Sequence, residues 1–78
     1  MPSQIVSPLP GTFYRSSAPD KPAYKNEGDR VDVGDIIGLI EVMKTFHEVR
    51  SEISGTLVKI IADNEEPVMA GQPLAELS

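Results

Sequence analysis

The stretch Ile36-Ile37-Gly38-Leu39-Ile40-Glu41-Val42-Met43-Lys44-Thr45-Phe46-His47-Glu48-Val49-Arg50-Ser51-Glu52-Ile53 decides the fold. Its first part, Ile36 to Ile40, is apolar on both faces, and a run of that kind belongs in the middle of a molecule. From Phe46 onward the residues alternate. Phe46, Glu48, Arg50 and Glu52 point one way and His47, Val49, Ser51 and Ile53 the other, the period of a half-buried antiparallel strand. Only Met43 and Lys44 separate the two pieces. A two-residue link between antiparallel strands is a tight hairpin, with Lys44 at its exposed apex. Both central residues of such a turn need positive φ, which favours glycine or asparagine, and neither is present here. Side-chained residues in that conformation cost on the order of 1–3 kcal/mol each, a strain that tends to gather at functional sites.

The rest of the chain is punctuated in the same all-β manner. Seven prolines and six glycines are spread along 78 residues and leave no window for a helix of ordinary length. The further apolar pieces are Gln4 to Val6, Thr12 to Tyr14, Thr56 to Ile61, Val68-Met69 and Leu74 to Leu77. With the central hairpin they predict seven or eight short strands. The two halves also repeat. Val31 to Ile40 matches Val68 to Leu77 at an offset of 37, whereas Gly11-Thr12 matches Gly55-Thr56 at an offset of 44. The first half therefore carries about seven additional residues, and they fall between Arg15 and Lys25. Two copies of one small β unit, neither able to bury its own face, are expected to close into a flattened barrel or sandwich with a pseudo-twofold axis.

Composition narrows the function. A chain of this length makes one domain, residues 1–78, with a thin core and no deep cleft. The absence of cysteine excludes disulfides, thiolate metal sites and thiol nucleophiles, and suggests a reducing, cytoplasmic setting. No apolar run approaches the roughly 18–20 residues needed to cross a bilayer, and Met1 to Ser7 does not read as a signal peptide. Membrane is not an expected partner. Nor is nucleic acid, because the formal net charge is −5 and the basic residues are scattered.

Glu41-Val42-Met43-Lys44-Thr45, placed between two symmetric half-units, resembles the attachment motif of the biotin carboxyl carrier proteins, in which Met precedes the modified lysine. The resemblance extends over Ser7-Pro8, Gly11 to Arg15, Ala18-Pro19-Asp20, Glu27-Gly28-Asp29, Val33-Gly34-Asp35, Ser54-Gly55-Thr56 and Gly71 to Leu74. The insertion falls where the acetyl-CoA carboxylase branch of that family carries its thumb loop. The chain departs from the common pattern at Val42, where Ala is usual, and at Thr45, Phe46 and His47.

What the resemblance implies is the biotinyl/lipoyl domain, a barrel-sandwich hybrid of two four-stranded antiparallel sheets, with a biotinyl hairpin at about 36–53 and a thumb at about 15–25. It implies biotin in amide linkage to Lys44, a biotin protein ligase that reads Met43, and passage of a carboxyl group between a biotin carboxylase and a carboxyltransferase. The chain itself is then a carrier without catalytic residues, expected in acetyl-CoA carboxylase and so in fatty acid biosynthesis, with another biotin-dependent carboxylase as the alternative. Thumb residues Ser16, Ser17, Ala18, Pro19 and Asp20 are expected to fold over the ureido ring. A lipoyl carrier shares the fold but normally has an acidic residue before the lysine, against Met43. An unmodified adaptor of the same shape lacks the apical lysine.

Other residues read more plainly. His47, the only histidine, is expected to be packed or on the surface. Glu27, Asp29, Asp32 and Asp35 gather about one turn, and Asp63, Glu65 and Glu66 about its repeat partner. Their spacing is not that of a calcium loop, so solvated turn carboxylates and no metal site are expected. Met43 and Phe46 read equally as ligase contacts or as caps on the core, and Phe13, Tyr14 and Tyr24 as core or core-edge aromatics.

Overall fold

A computed structural model describes residues 3–78 and contains eight strands: β1 Ser3–Val6, β2 Gly11–Tyr14, β3 Arg30–Val31, β4 Ile36–Val42, β5 Thr45–Arg50, β6 Gly55–Ile60, β7 Glu66–Val68 and β8 Pro73–Leu77. They form two antiparallel four-stranded sheets, in the orders β1-β8-β6-β3 and β5-β4-β2-β7. The internal repeat maps β1 to β4 onto β5 to β8, and each half contributes two strands to either sheet. Neither half is a separate unit. The pseudo-twofold is written into the hydrogen bonds as well: Gly28 N–H donates to Leu57 O as Glu65 N–H donates to Phe13 O, and Gly34 N–H to Ser51 O as Gly71 N–H to Ser7 O.

Core side chains pair off in the same way. Phe13 and Leu57, Ile37 and Leu74, Ile40 and Leu77, Val31 and Val68, and Ile5 and Val49 are repeat partners, and all ten are buried. Where partners differ in size, a neighbour compensates. Phe13 is larger than Leu57, and it lies over Gly38, where an added Cβ would sit 2.5 Å from the ring and 2.7 Å from the Tyr14 carbonyl oxygen. The repeat partner of Gly38 is Ala75, as the repeat partner of Phe13 is the smaller Leu57. Close packing makes such trades obligatory.

The structure differs from the sequence reading in three places. Strand β3 was not among the expected pieces, because two residues show no period; it exists through its pairing with Gly55 and Thr56. Strand β5 ends at Arg50 rather than Ile53, since Ser51 leaves the ladder: its hydroxyl donates to Ile53 O and its N–H to Asp35 O. A register shift in β4 between Ile36 and Gly38 puts both Ile37 and Ile40 on the core side. Leu39 consequently lies outside the core cluster, cross-strand from Tyr14 and Glu48, yet it is only 8% exposed.

The turn carboxylates have structural partners. Asp29 and Asp35 accept the N–H of the residue three earlier, Asn26 and Asp32, and their repeat counterparts Glu66 and Gln72 do the same for Asp63 and Met69. Asp35 additionally pairs with Lys25 at 3.2 Å. The Asp32 N–H, and after it the Lys25 ammonium, hold the Asp35 carboxyl below its ordinary value of 3.8. A depressed folded-state value stabilises the fold above the unfolded value, and that contribution is lost as pH falls from about 3.8 through the folded one. Asp35→Asn is therefore expected to be less stable than the parent chain at neutral pH and to converge with it in acid. Denaturation midpoints that stay equally far apart from pH 7 down to pH 2 would contradict this.

Candidate functional site

Strands β4 and β5 are the best-paired strands of the molecule, with Ile40 opposite His47, Glu41 opposite Phe46 and Val42 opposite Thr45. Their register leaves Met43 and Lys44 to close the hairpin, and both have positive φ, 49° and 67°. That is the primed turn whose twist matches the flanking strands, built here without glycine. Part of what holds it is Glu41, whose Oε2 accepts the Lys44 backbone N–H at 2.9 Å. The carboxylate thus supports the turn from below while the lysine side chain is free. Lys44 is exposed, and its ammonium has no hydrogen bond or ion pair among the described residues. Met43 is 91% exposed, so it does not cap the core.

The inserted loop is a stalk rather than a slack excursion. Tyr24 N–H donates to Arg15 O at 2.9 Å, Ser16 and Ala23 form a bridge, and Lys21 N–H donates to Ala18 O at 3.1 Å. Pro19 and Asp20 are therefore the central residues of a β-turn, with proline in the position that its fixed φ favours. The Ser16 hydroxyl donates to Ala18 O and braces the same turn. At the base, Arg15 N–H donates to Asn64 Oδ1, which ties the thumb to the β6–β7 turn of the other half.

Beneath the thumb, on the outer face of the second sheet, lies a groove of about 120 Å³. Tyr14 and Phe46 meet there with ring centroids 5.9 Å apart. Thumb residues Ser16, Ser17, Ala18 and Pro19 form one wall, and Asn64 and Glu65 the other. Asp20 is exposed at the tip and does not line the groove. Tyr14 belongs to this outer platform, not to the core, because strand alternation sends Phe13 inward and Tyr14 outward. His47 is exposed on β5. A larger cavity of about 330 Å³ sits between β1 and β5, lined by residues such as Ile5 and Val49, but no residue of the hairpin apex borders it. Met43 and Lys44 do not line the groove under the thumb either, but Phe46 does, two residues along the chain from Lys44.

A rigid apex carrying an unpaired primary amine, beside a small groove with aromatic and polar walls, suits attachment of a cofactor and its partial shelter. The family model described as "Biotin-requiring enzyme" matches residues 3–77. The chain belongs to the biotin-requiring enzyme family. It is 37% identical over 75 residues to the biotin carboxyl carrier protein of acetyl-CoA carboxylase of Nostoc sp., a match covering 96% of this chain and 41% of that one. It is 43% identical over 70 residues to the chloroplastic biotin carboxyl carrier protein of acetyl-CoA carboxylase 2 of Arabidopsis thaliana, covering 90% and 28%. Among solved structures it resembles the Kluyveromyces lactis urea carboxylase, with a TM-score of 0.79 at 31% identity, over 100% of this chain and 6% of that one. The chain thus spans less than half the length of these relatives.

Biotin is the cofactor of this family, and the residues present fit it. Lys44 offers the amine for an amide bond. Tyr14, Phe46, Ala18 and Pro19 offer apolar surface to the groove, and Ser17, Asn64 and Glu65 offer it polar groups. Sequence reasoning placed the thumb and the lysine but missed Tyr14, Asn64 and Glu65. The offset arithmetic that located the insertion held one unused signal: Gly28 and Glu65 are repeat partners, so a side chain stands where the first half has none.

Proposed function

We propose that the chain is a biotin carboxyl carrier domain, with biotin joined to Nζ of Lys44 and a carboxyl group passed between a biotin carboxylase and a carboxyltransferase. The observation that carries this reading is the unpaired, exposed ammonium of Lys44 on a glycine-free primed turn. Met43, extended from the same strained turn, is the side chain a biotin protein ligase reads next to its target. Acetyl-CoA carboxylase is the favoured complex, because relatives named for it are 37% and 43% identical to this chain over 75 and 70 aligned residues. The likeness to a urea carboxylase supports the alternative, another biotin-dependent carboxylase.

When bound, biotin supplies a ureido nitrogen that accepts and releases a carboxyl group; the chain's own residues contribute placement. The hairpin, closed by Glu41 and anchored in the β4–β5 pair, fixes where the arm begins. Tethering then keeps the effective concentration of the cofactor high at both partner sites without release between them. Phe46 is two residues from Lys44, about 7 Å along the strand. The lysine stem and the cofactor's alkyl chain reach further than that, so the groove is accessible to the ring between visits, with Ser16 to Pro19 as its cover. A net charge of −5 suits encounters with basic partner surfaces and suits neither nucleic acid nor anionic membrane. The cytoplasm is the setting in which this carriage takes place.

The test is carboxyl loading. The biotinylated chain, incubated with ATP, radiolabelled bicarbonate and the biotin carboxylase of its own host, is expected to acquire label in proportion to its biotin content. Biotinylated chain that takes up no label from that enzyme, while a known carrier does, would rule the reading out.

A further inference from the structure

Glu65 lies in the β6–β7 turn with φ of 66°, one of three side-chained residues with positive φ among the described residues; the others are Met43 and Lys44 of the hairpin. Its repeat partner is Gly28, with φ of 94° and the equivalent backbone hydrogen bond. The turn therefore works with glycine. In the second half it holds a strained glutamate instead, and only there does the turn face a thumb.

The polar capacity of the groove can be tallied group by group. Ser16 already donates to Ala18 O, and Asn64 Oδ1 already accepts from Arg15 N–H. What is left is the Asn64 amide N–H pair and the Ser17 hydroxyl as donors, and the Glu65 carboxylate as a full acceptor. That carboxylate has no hydrogen bond or ion pair among the described residues, and no cationic side chain lines the groove. A cyclic urea presents the complement: two N–H donors flanking one carbonyl acceptor.

We infer that Glu65 is a positioning residue for the cofactor ring, its carboxylate accepting a ureido N–H while Asn64 or Ser17 donates to the ureido oxygen. This rests on the reading of the groove as the resting place of biotin attached to Lys44. It adds a selectivity that the thumb alone does not provide. A hydrogen bond to an ionised acceptor is stronger than a neutral one, and the same negative charge disfavours an occupant that is itself anionic. The groove would thus retain the neutral ring.

Amide NMR spectra of the full chain, unmodified and biotinylated, read this directly and need no partner enzyme. In the parent chain, biotinylation is expected to move the Ser17 and Asn64 amide signals. In Glu65→Gly, whose turn the first half shows to be compatible with glycine, those displacements should shrink at least threefold. In Glu65→Gln, which keeps an oxygen acceptor but not the charge, they should be intermediate. Melting curves of the unmodified variants check that both still fold. Displacements of parental size in Glu65→Gly would overturn the role of Glu65 and leave the groove reading standing. No displacement in the parent chain would overturn the groove reading and this inference with it.

Discussion

Lys44→Arg is expected to leave the chain folded and wholly without biotin. Arginine keeps the positive charge and much of the length of lysine, but its guanidinium stays protonated and offers no free amine for acylation. The fold should not register the change. Lys44 is exposed and its side chain bonds to nothing described, and surface substitutions of that kind usually fall within about 0.5 kcal/mol. The turn bond is spared too, because Glu41 takes the backbone N–H of residue 44 and not its side chain. Intact mass after incubation with ligase, ATP and biotin is the measurement, with one biotinyl group on the parent chain and none on the variant. Three other lysines are present, Lys21, Lys25 and Lys59, and Lys25 is engaged with Asp35 and Arg30 O. A biotinyl group found on the variant would refute the assignment of Lys44.

Phe13→Ala is expected to cost about 3–5 kcal/mol, the usual range for emptying a buried aromatic site. Phe13 is fully buried, in a core cluster of a dozen buried side chains among the described residues. For 78 residues the whole stability is on the order of 4–12 kcal/mol. The variant should therefore be marginal or unfolded at 37 °C. A sharper form of the experiment uses the repeat. Gly38→Ala alone drives a methyl group into the Phe13 ring and is expected to cost about 1–3 kcal/mol. Phe13→Leu with Gly38→Ala removes the clash with the ring but not the one with the Tyr14 carbonyl oxygen, 2.7 Å from the added Cβ, and should recover only part of what Gly38→Ala loses. Chemical denaturation measures the parent chain, Phe13→Leu, Gly38→Ala and the double variant. Strictly additive losses in the double variant would show that the two positions do not share one packing site.

Much of this molecule is legible in its sequence. The hairpin follows from an apolar run, two connecting residues and an alternating run, and the length of the thumb follows from subtracting two repeat offsets. What escaped has a common cause. Strand β3 is two residues long and exists only as a partner of β6. The run Ile36 to Ile40 is apolar on both faces, and only the strand pairing shows that Leu39 lies across from Tyr14 while a register shift brings Ile37 to the core side with Ile40. Glu65 looks like one more solvated turn carboxylate until the fold sets it across a groove from the thumb.

The sequence by itself determined the all-β class, the twofold repeat, the apical lysine and the place of the insertion, because each is a matter of local period, turn chemistry and counting along the chain. Only the tertiary structure decided what the insertion covers. Tyr14, Phe46 and Glu65 come from three separate strands and turns, and they are brought together by a sheet register that no local pattern encodes.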